Sequence, residues 1–262
     1  MMILRNLRSF RLAPAMVVSL VLAFASPAAA IVNGAEDNGP LKSHTVMVLS
    51  EGGGVCSGVI VAQDIVLTAG HCVAGGRNVR VHFRDSSGEP ILLEPAEIAT
   101  HGGYNADAVE ARQRSIDLGL IRLQDPLPTR FSPAPLSAAR LPREGTPVTA
   151  LGWGVSKEGE ARTTGTFRAA DLVVVEPYGP GKLLLWAADP IGVGKRPGAG
   201  VCQGDSGGPI IRSDGAVIAI STWAKGRGTS QCGLLTQGML VAPQRGFIDG
   251  TLKRWGRTAL WR

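Results

Sequence analysis

Ile65-Val66-Leu67-Thr68-Ala69-Gly70-His71-Cys72 opens on a short apolar run and closes on a histidine beside a cysteine. Apolar runs of similar length recur at Thr45–Leu49, Gly58–Val61, Val79–Phe83, Leu118–Leu123, Val148–Gly152, Leu172–Val175, Leu183–Trp186 and Ala216–Ser221. Turn clusters separate many of them, as at Glu51-Gly52-Gly53-Gly54, Asp85-Ser86-Ser87-Gly88 and Ser213-Asp214-Gly215. Short runs with frequent turns predict an all-β barrel or sandwich. Glycine agrees: 35 of 262 residues is about twice the usual share, which suits tight turns and argues against a helical bundle. These glycines follow no three-residue period, so a collagen-like chain is excluded. One helical pattern stands near Gln244–Trp255, where Phe247, Ile248, Leu252 and Trp255 form an apolar stripe interrupted by Gly246 and Gly250. Proline-rich Asp125–Arg143 is a candidate link between two halves, with a boundary near 125–145.

The first 30 residues read as a secretory leader. Arg5, Arg8 and Arg11 precede an apolar stretch from Leu12 to Phe24, and Ala28-Ala29-Ala30 is a small-residue cleavage site. The stretch is short for an uncleaved membrane anchor. The whole chain carries 27 basic and 21 acidic residues, a net charge of +6, and losing the three leader arginines lowers it to +3. The basicity is therefore largely a targeting feature, which removes the main support for a nucleic-acid partner. No second long apolar stretch follows. The mature part, 31–262, is expected to be a secreted or periplasmic monomer without membrane contact.

All four cysteines, Cys56, Cys72, Cys202 and Cys232, lie in that exported part. An even count and export favour two disulfides, with three connectivities open. Their spacing fits no zinc site, and no metal or cofactor is assigned.

Three segments carry chemistry together. His71 ends one apolar run, Asp117 in Ser115-Ile116-Asp117-Leu118 enters another, and Ser206 stands in the glycine-rich Gly204-Asp205-Ser206-Gly207-Gly208-Pro209. A serine hydroxyl is a weak nucleophile that needs an adjacent base. Imidazole suits that task near neutral pH. A carboxylate fixes its tautomer, and glycines let backbone N–H groups turn toward a developing oxyanion. His44, His82 and His101 match no such pattern and are read as structural.

In this order and context the segments resemble the trypsin/chymotrypsin family of serine endopeptidases. The resemblance extends to Ile31-Val32-Asn33-Gly34, Cys56-Ser57-Gly58, Gly152-Trp153-Gly154 and Cys202-Gln203-Gly204, covering nearly all of 31–256. It implies two six-stranded antiparallel β-barrels with a C-terminal helix. It also implies Ser206 as nucleophile, His71 as general base and then acid, and Asp117 as the orienting carboxylate. The Gly204 and Ser206 N–H groups would form the oxyanion hole. The disulfides would be Cys56–Cys72 and Cys202–Cys232, and the absence of further bridges resembles bacterial-type members. A Ser…Asp…His lipase order is excluded by the chain order His71, Asp117, Ser206.

The resemblance further implies an activating ion pair between a new α-amino group at Ile31 and Asp205. Ile31 directly follows Ala30, so leader removal alone would create that terminus. Gly200 stands where basic specificity would require an acid, and Val201 makes the pocket apolar. Trp223 and Ala224 form a wall, with a one-residue slip between Ser221 and Thr222 left open, and Gly238 is expected on the far side. The expected protein substrates are cut after small or medium aliphatic residues. The alternatives are an aromatic preference or a catalytically inactive, protease-like binding protein, though all three triad residues are present.

Overall fold

The computed structural model describes residues 31–75, 78–111, 113–139, 141–176 and 182–262. The leader expected at 1–30 lies outside them. The strands, in chain order, begin with β1 (Ala35–Glu36), β2 (Thr45–Ser50), β3 (Gly54–Ala62), β4 (Ile65–Thr68) and β5 (Val79–Arg84). β6 (Pro90–Leu93), β7 (Pro95–Thr100) and β8 (Gly119–Leu123) complete the first half. The second half holds β9 (Pro147–Gly152), β10 (Arg168–Glu176), β11 (Leu184–Ala188), β12 (Pro209–Ile211), β13 (Val217–Lys225) and β14 (Leu235–Leu240).

The first sheet runs β6-β5-β2-β3-β4-β8-β7. Only Glu94 separates β6 from β7, and the two pair with opposite edges, β5 and β8. Taken as one bent strand they close the sheet into a ring of six. The second sheet runs β1-β10-β11-β14-β13-β12-β9, and an additional β9–β10 pairing closes it at six strands with β1 added outside. The expected pair of six-stranded antiparallel barrels is thus present.

Residue pattern explains the closure. In β5, Val79, Val81 and Phe83 are buried and alternate with more exposed Arg80, His82 and Arg84, the period of a strand with one wet face. The first barrel is filled by Val46, Val48, Ile60, Val66, Val81 and Ile121. The second is filled by Val148, Leu172, Leu185, Ile210, Ile218 and Leu240. A further cluster joins the barrels: Val59, Leu67 and Leu120 meet Leu151, Ile220 and Met239. The helix α1 (Arg245–Arg254) lays Ile248 and Leu252 into that joint. Its ends fall within a residue of the stripe in the sequence. Gly246 and Gly250 face open space, so their cost is helix propensity alone.

Candidate active site

The register of β4 against β8 brings His71 to Asp117. Thr68 pairs with Gly119 at the end of that ladder. His71 lies three residues beyond Thr68, in a single helical turn at Gly70–Val73, and Asp117 lies two residues before Gly119. Asp117 then holds the histidine twice. Its Oδ1 accepts the His71 backbone N–H at 2.8 Å, and its Oδ2 lies 2.7 Å from His71 Nδ1. Gly70 leaves room for this, since a Cβ there would stand 3.1 Å from Asp117 Oδ1. The carboxylate fixes ring position through the backbone and ring tautomer through Nδ1, leaving Nε2 for chemistry.

The serine loop crosses from the second barrel to meet this pair. The Ser57 N–H on β3 donates to the Ser206 carbonyl at 2.7 Å. The Ser57 hydroxyl donates to Gly204 O at 2.9 Å, and Thr68 Oγ1 donates to Ser57 O at 2.8 Å. Gly207, at φ +85°, sits in the seam: a Cβ would stand 2.1 Å from Thr68 Oγ1 and 2.2 Å from Ser57 O. Only glycine fits both that conformation and that approach. The Cys72 sulfur lies 3.8 Å from Ser206 O, so the loop rests on the helical turn that carries His71. Among the described residues the Ser206 hydroxyl engages no hydrogen-bond partner, and neither do the backbone N–H groups of Gly204 and Ser206. Free donors at one turn are what oxyanion stabilisation requires. Among the described residues the His71 ring bonds to Asp117 alone, so the Ser206–His71 hydrogen bond that activates a serine is not made in this structure. Cys56 and Cys72 are joined, as are Cys202 and Cys232. The Cys56–His71–Cys72 cluster therefore offers no thiolate to a metal.

Asp205 is fully buried. Its Oδ1 accepts the Gly154 N–H at 2.8 Å and its Oδ2 the Cys202 N–H at 2.9 Å. Burial outweighs these bonds and pushes its carboxyl up to about 7, with Arg168 acting in the opposite sense. Ile31 is also fully buried, among Val148, Leu172 and Val201. The segment behind it is tied down by a Val32–Gly200 bridge, by Asn33 Nδ2 donating to Gly198 O at 3.1 Å, and by β1 on β10.

Beside Ser206 lies a cavity of about 160 Å³ lined by Val201, Thr222, Trp223, Ala224 and the Cys202–Cys232 bridge. Among the described residues no carboxylate lines it. Gly200, expected at the pocket base, is buried and is not among the residues that line this cavity; a Cβ there would stand 3.2 Å from Thr236 Oγ1. The slip left open in the sequence is a β-bulge: Ser221 pairs with Gly238 and Trp223 with Gln237, so Thr222 is the extra residue. Gly238 does not form the far side. A Cβ there would stand 2.7 Å from Ile210 Cδ1 and 3.0 Å from Ala219 Cβ, in the barrel core. Sequence reasoning missed Thr236, which is buried behind the cavity and accepts the Val201 N–H at 3.1 Å. Its only sequence signal is a hydroxyl in an apolar run. A wider apolar depression of about 530 Å³ continues along Trp186, Trp223 and Met239 to His71. The remaining histidines hold structure. His44 Nδ1 lies 2.7 Å from Ser132 O, His82 Nδ1 lies 2.9 Å from Ile91 O, and His101 packs on Phe247.

A family model described as Trypsin matches residues 31–238. Kallikrein-8 of Mus musculus is 31% identical over 188 residues, covering 68% of this chain and 68% of that protein. Trypsin epsilon of Drosophila erecta is 29% identical over 213 residues, covering 76% of this chain and 78% of that protein. Among solved structures, neuropsin, "a serine protease expressed in the limbic system of mouse brain", superposes with a TM-score of 0.68 at 25% identity, over 84% of this chain and 99% of that one. Human heparin binding protein gives the same TM-score of 0.68 at 22% identity, over 85% and 97%, a likeness of fold. These relatives are animal proteins, and the likeness to bacterial-type members finds no counterpart among them.

Proposed function

The chain belongs to the trypsin family of serine endopeptidases, and we propose that it is an exported member that cuts polypeptides after small or medium aliphatic residues through an acyl-enzyme on Ser206. The observation that carries the reading is the double hold of Asp117 on His71 beneath a loop that presents Ser206 with two free backbone donors. Ser206 Oγ attacks the scissile carbonyl while His71 Nε2 takes its proton. Asp117 steadies the imidazolium that forms. The Gly204 and Ser206 N–H groups receive the oxyanion, and His71 returns the proton to the leaving amine. Water then enters by the same base and releases the acyl group.

The aliphatic preference follows from the cavity lining. Val201 and Ala224 offer apolar contact, worth about 0.8 kcal/mol per buried methylene. A guanidinium or ammonium would shed its hydration there and find no carboxylate.

Export is supported by the leader-like sequence and by two disulfides, which persist in oxidising compartments. No helix among the described residues is long and apolar enough to cross a membrane. The family match begins at Ile31, and cleavage after Ala30 would give Ile31 a free α-amine. That ammonium would pair with Asp205, whose buried carboxyl otherwise holds a proton up to about 7. Pairing would keep the Asp205 carboxylate ionised beneath the Gly204–Ser206 turn.

The reading is tested with a serine-directed phosphonate on the processed protein. Stoichiometric labelling of Ser206 is expected, together with turnover falling by several orders of magnitude in Ser206→Ala at unchanged thermal stability. A folded protein that is neither labelled nor active would instead be a binding member of the family.

A further inference from the structure

A second groove, of about 910 Å³, opens beside the serine loop, bounded by Val55, Trp153, Phe83 and three cations, Lys42, Arg84 and Arg130. Its position follows from its walls. Val55 lies against the oxyanion turn, its Cγ1 3.4 Å from where a Cβ on Gly204 would stand. The Trp153 N–H donates at 3.0 Å to Ser57 Oγ, the hydroxyl that holds Gly204 O. The cavity beside Ser206 and the apolar depression share Thr222 and Trp223, so they form one track for the acyl side of a substrate. The groove shares no lining residue with either. Reached across the Gly204 turn, it is left for the chain that departs with the amine.

Its charge is unbalanced. Among the described residues none of the three cations pairs with a carboxylate. Lys42 Nζ donates to Asn38 Oδ1 at 3.3 Å and Arg84 Nη1 to Gly88 O at 2.7 Å. Arg130 donates to Arg84 O and stacks its guanidinium 5.3 Å from the Phe83 ring centroid and 5.0 Å from that of Phe131. The one acid on the wall, Asp85, is occupied locally: its Oδ1 accepts from Ser87 N, Ser87 Oγ and Glu89 N at 2.8, 2.7 and 2.9 Å. Stacking and backbone bonds hold Arg130 without neutralising it, so its charge is preorganised for an incoming anion.

We propose that this groove binds the substrate segment following the scissile bond and selects acidic side chains there. The proposal rests on Ser206 being the nucleophile, and the test separates the two. The processed enzyme is first assayed on an aliphatic acyl ester that has no residues beyond the reacting bond. It is then given quenched-fluorescence peptides that are identical up to that bond and carry Glu-Asp-Glu, Gln-Asn-Gln or Lys-Arg-Lys at the second to fourth positions after it.

Each exposed charge contact is worth roughly two- to fivefold, so the acidic peptide should exceed the neutral one by about tenfold in kcat/KM and the basic one by more. The ratio should shrink as ionic strength rises past physiological and approach one in Lys42→Gln/Arg84→Gln/Arg130→Gln. Failure on the ester is failure of the triad reading. Ester turnover with equal kcat/KM for the three peptides overturns the groove proposal, as does an acidic preference that survives intact in the triple variant. Binding of a sulfated polysaccharide through the three cations, with no peptide discrimination, overturns it in favour of a polysaccharide site.

Discussion

Retaining Ala30 ahead of Ile31 should make stability depend on pH in a way that the processed chain does not. In the extended chain Asp205 is buried without the proposed ammonium, and its carboxyl is lifted from an ordinary 3.8 to about 7. A lifted carboxyl means that the folded state keeps a proton which the unfolded state has already lost. The folded extended chain is therefore favoured by this group below about pH 4. It loses that advantage as pH climbs to about 7, and the loss is complete above. At about 1.4 kcal/mol per pH unit, the change amounts to a few kcal/mol, a large fraction of the usual stability of a domain. In the processed chain the Ile31 ammonium favours the ionised carboxylate, and the decline between pH 4 and 7 should vanish or reverse. Urea unfolding of both forms at half-unit steps from pH 4 to 8 measures the difference. Asp205→Asn in the extended chain should abolish the slope by removing the titrating group. Equal slopes in the extended and processed chains would refute the pairing of Ile31 with Asp205, and a slope that survives Asp205→Asn would refute Asp205 as its source.

Asp117→Asn should keep the fold and cut kcat by roughly four orders of magnitude, because an amide presents the wrong partner to His71 Nδ1; stopped assays at neutral pH read it directly. Positional-scanning peptides should give Val, Ala, Leu and Met before the bond, with Arg and Lys poor. A Phe or Tyr preference would mean that Ala224 does not narrow the cavity. Gly200→Asp should raise cleavage after Arg only modestly, because its Cβ would press to 3.2 Å from Thr236 Oγ1; adding Thr236→Ala, which removes that oxygen, should widen the gain in kcat/KM. Cys202→Ser/Cys232→Ser opens a bridge spanning a sequence separation of 30 and should cost about 3–4 kcal/mol in chemical denaturation, while blurring the preference before the bond.

Much of the barrel architecture could be read in advance because its longer strands are continuous apolar runs bounded by turn residues. Leu118–Leu123 and Val148–Gly152 differ from β8 and β9 by a single residue at one end. The strands that escaped notice lack that signal for separate reasons. β6 and β7 each begin with proline and alternate about Glu94, and Leu92 is 55% exposed. They read as a polar connection until their pairing with β5 and β8 is seen. β12 has three residues, too few for any period. β14 is broken by Gln237-Gly238, where glycine is needed because Ile210 and Ala219 fill the place of a side chain. That same break invited the reading of Gly238 as a pocket wall.

The candidate site divides along the same line. His71, Asp117 and Ser206 are each announced by local sequence, because each sits at a strand end whose neighbours are constrained by close backbone approach. The substrate cavity is made by register between β13 and β14, and register depends on the bulge at Thr222, which no local pattern locates. Charge is the hardest to read. A formal +6, half of it in the leader, says nothing of where the surplus lies. In the folded chain Arg80, Arg122, Arg168, Arg212, Arg245 and Arg257 are each taken up by a carboxylate. Lys42, Arg84 and Arg130, which line one groove, are among the cations that no carboxylate of the described residues takes up. The acid on the groove wall, Asp85, is spent on its own turn. The selectivity proposed for the departing segment thus arises from where the fold brings three separated cations together, beside the serine loop and with the one acid on the wall already occupied.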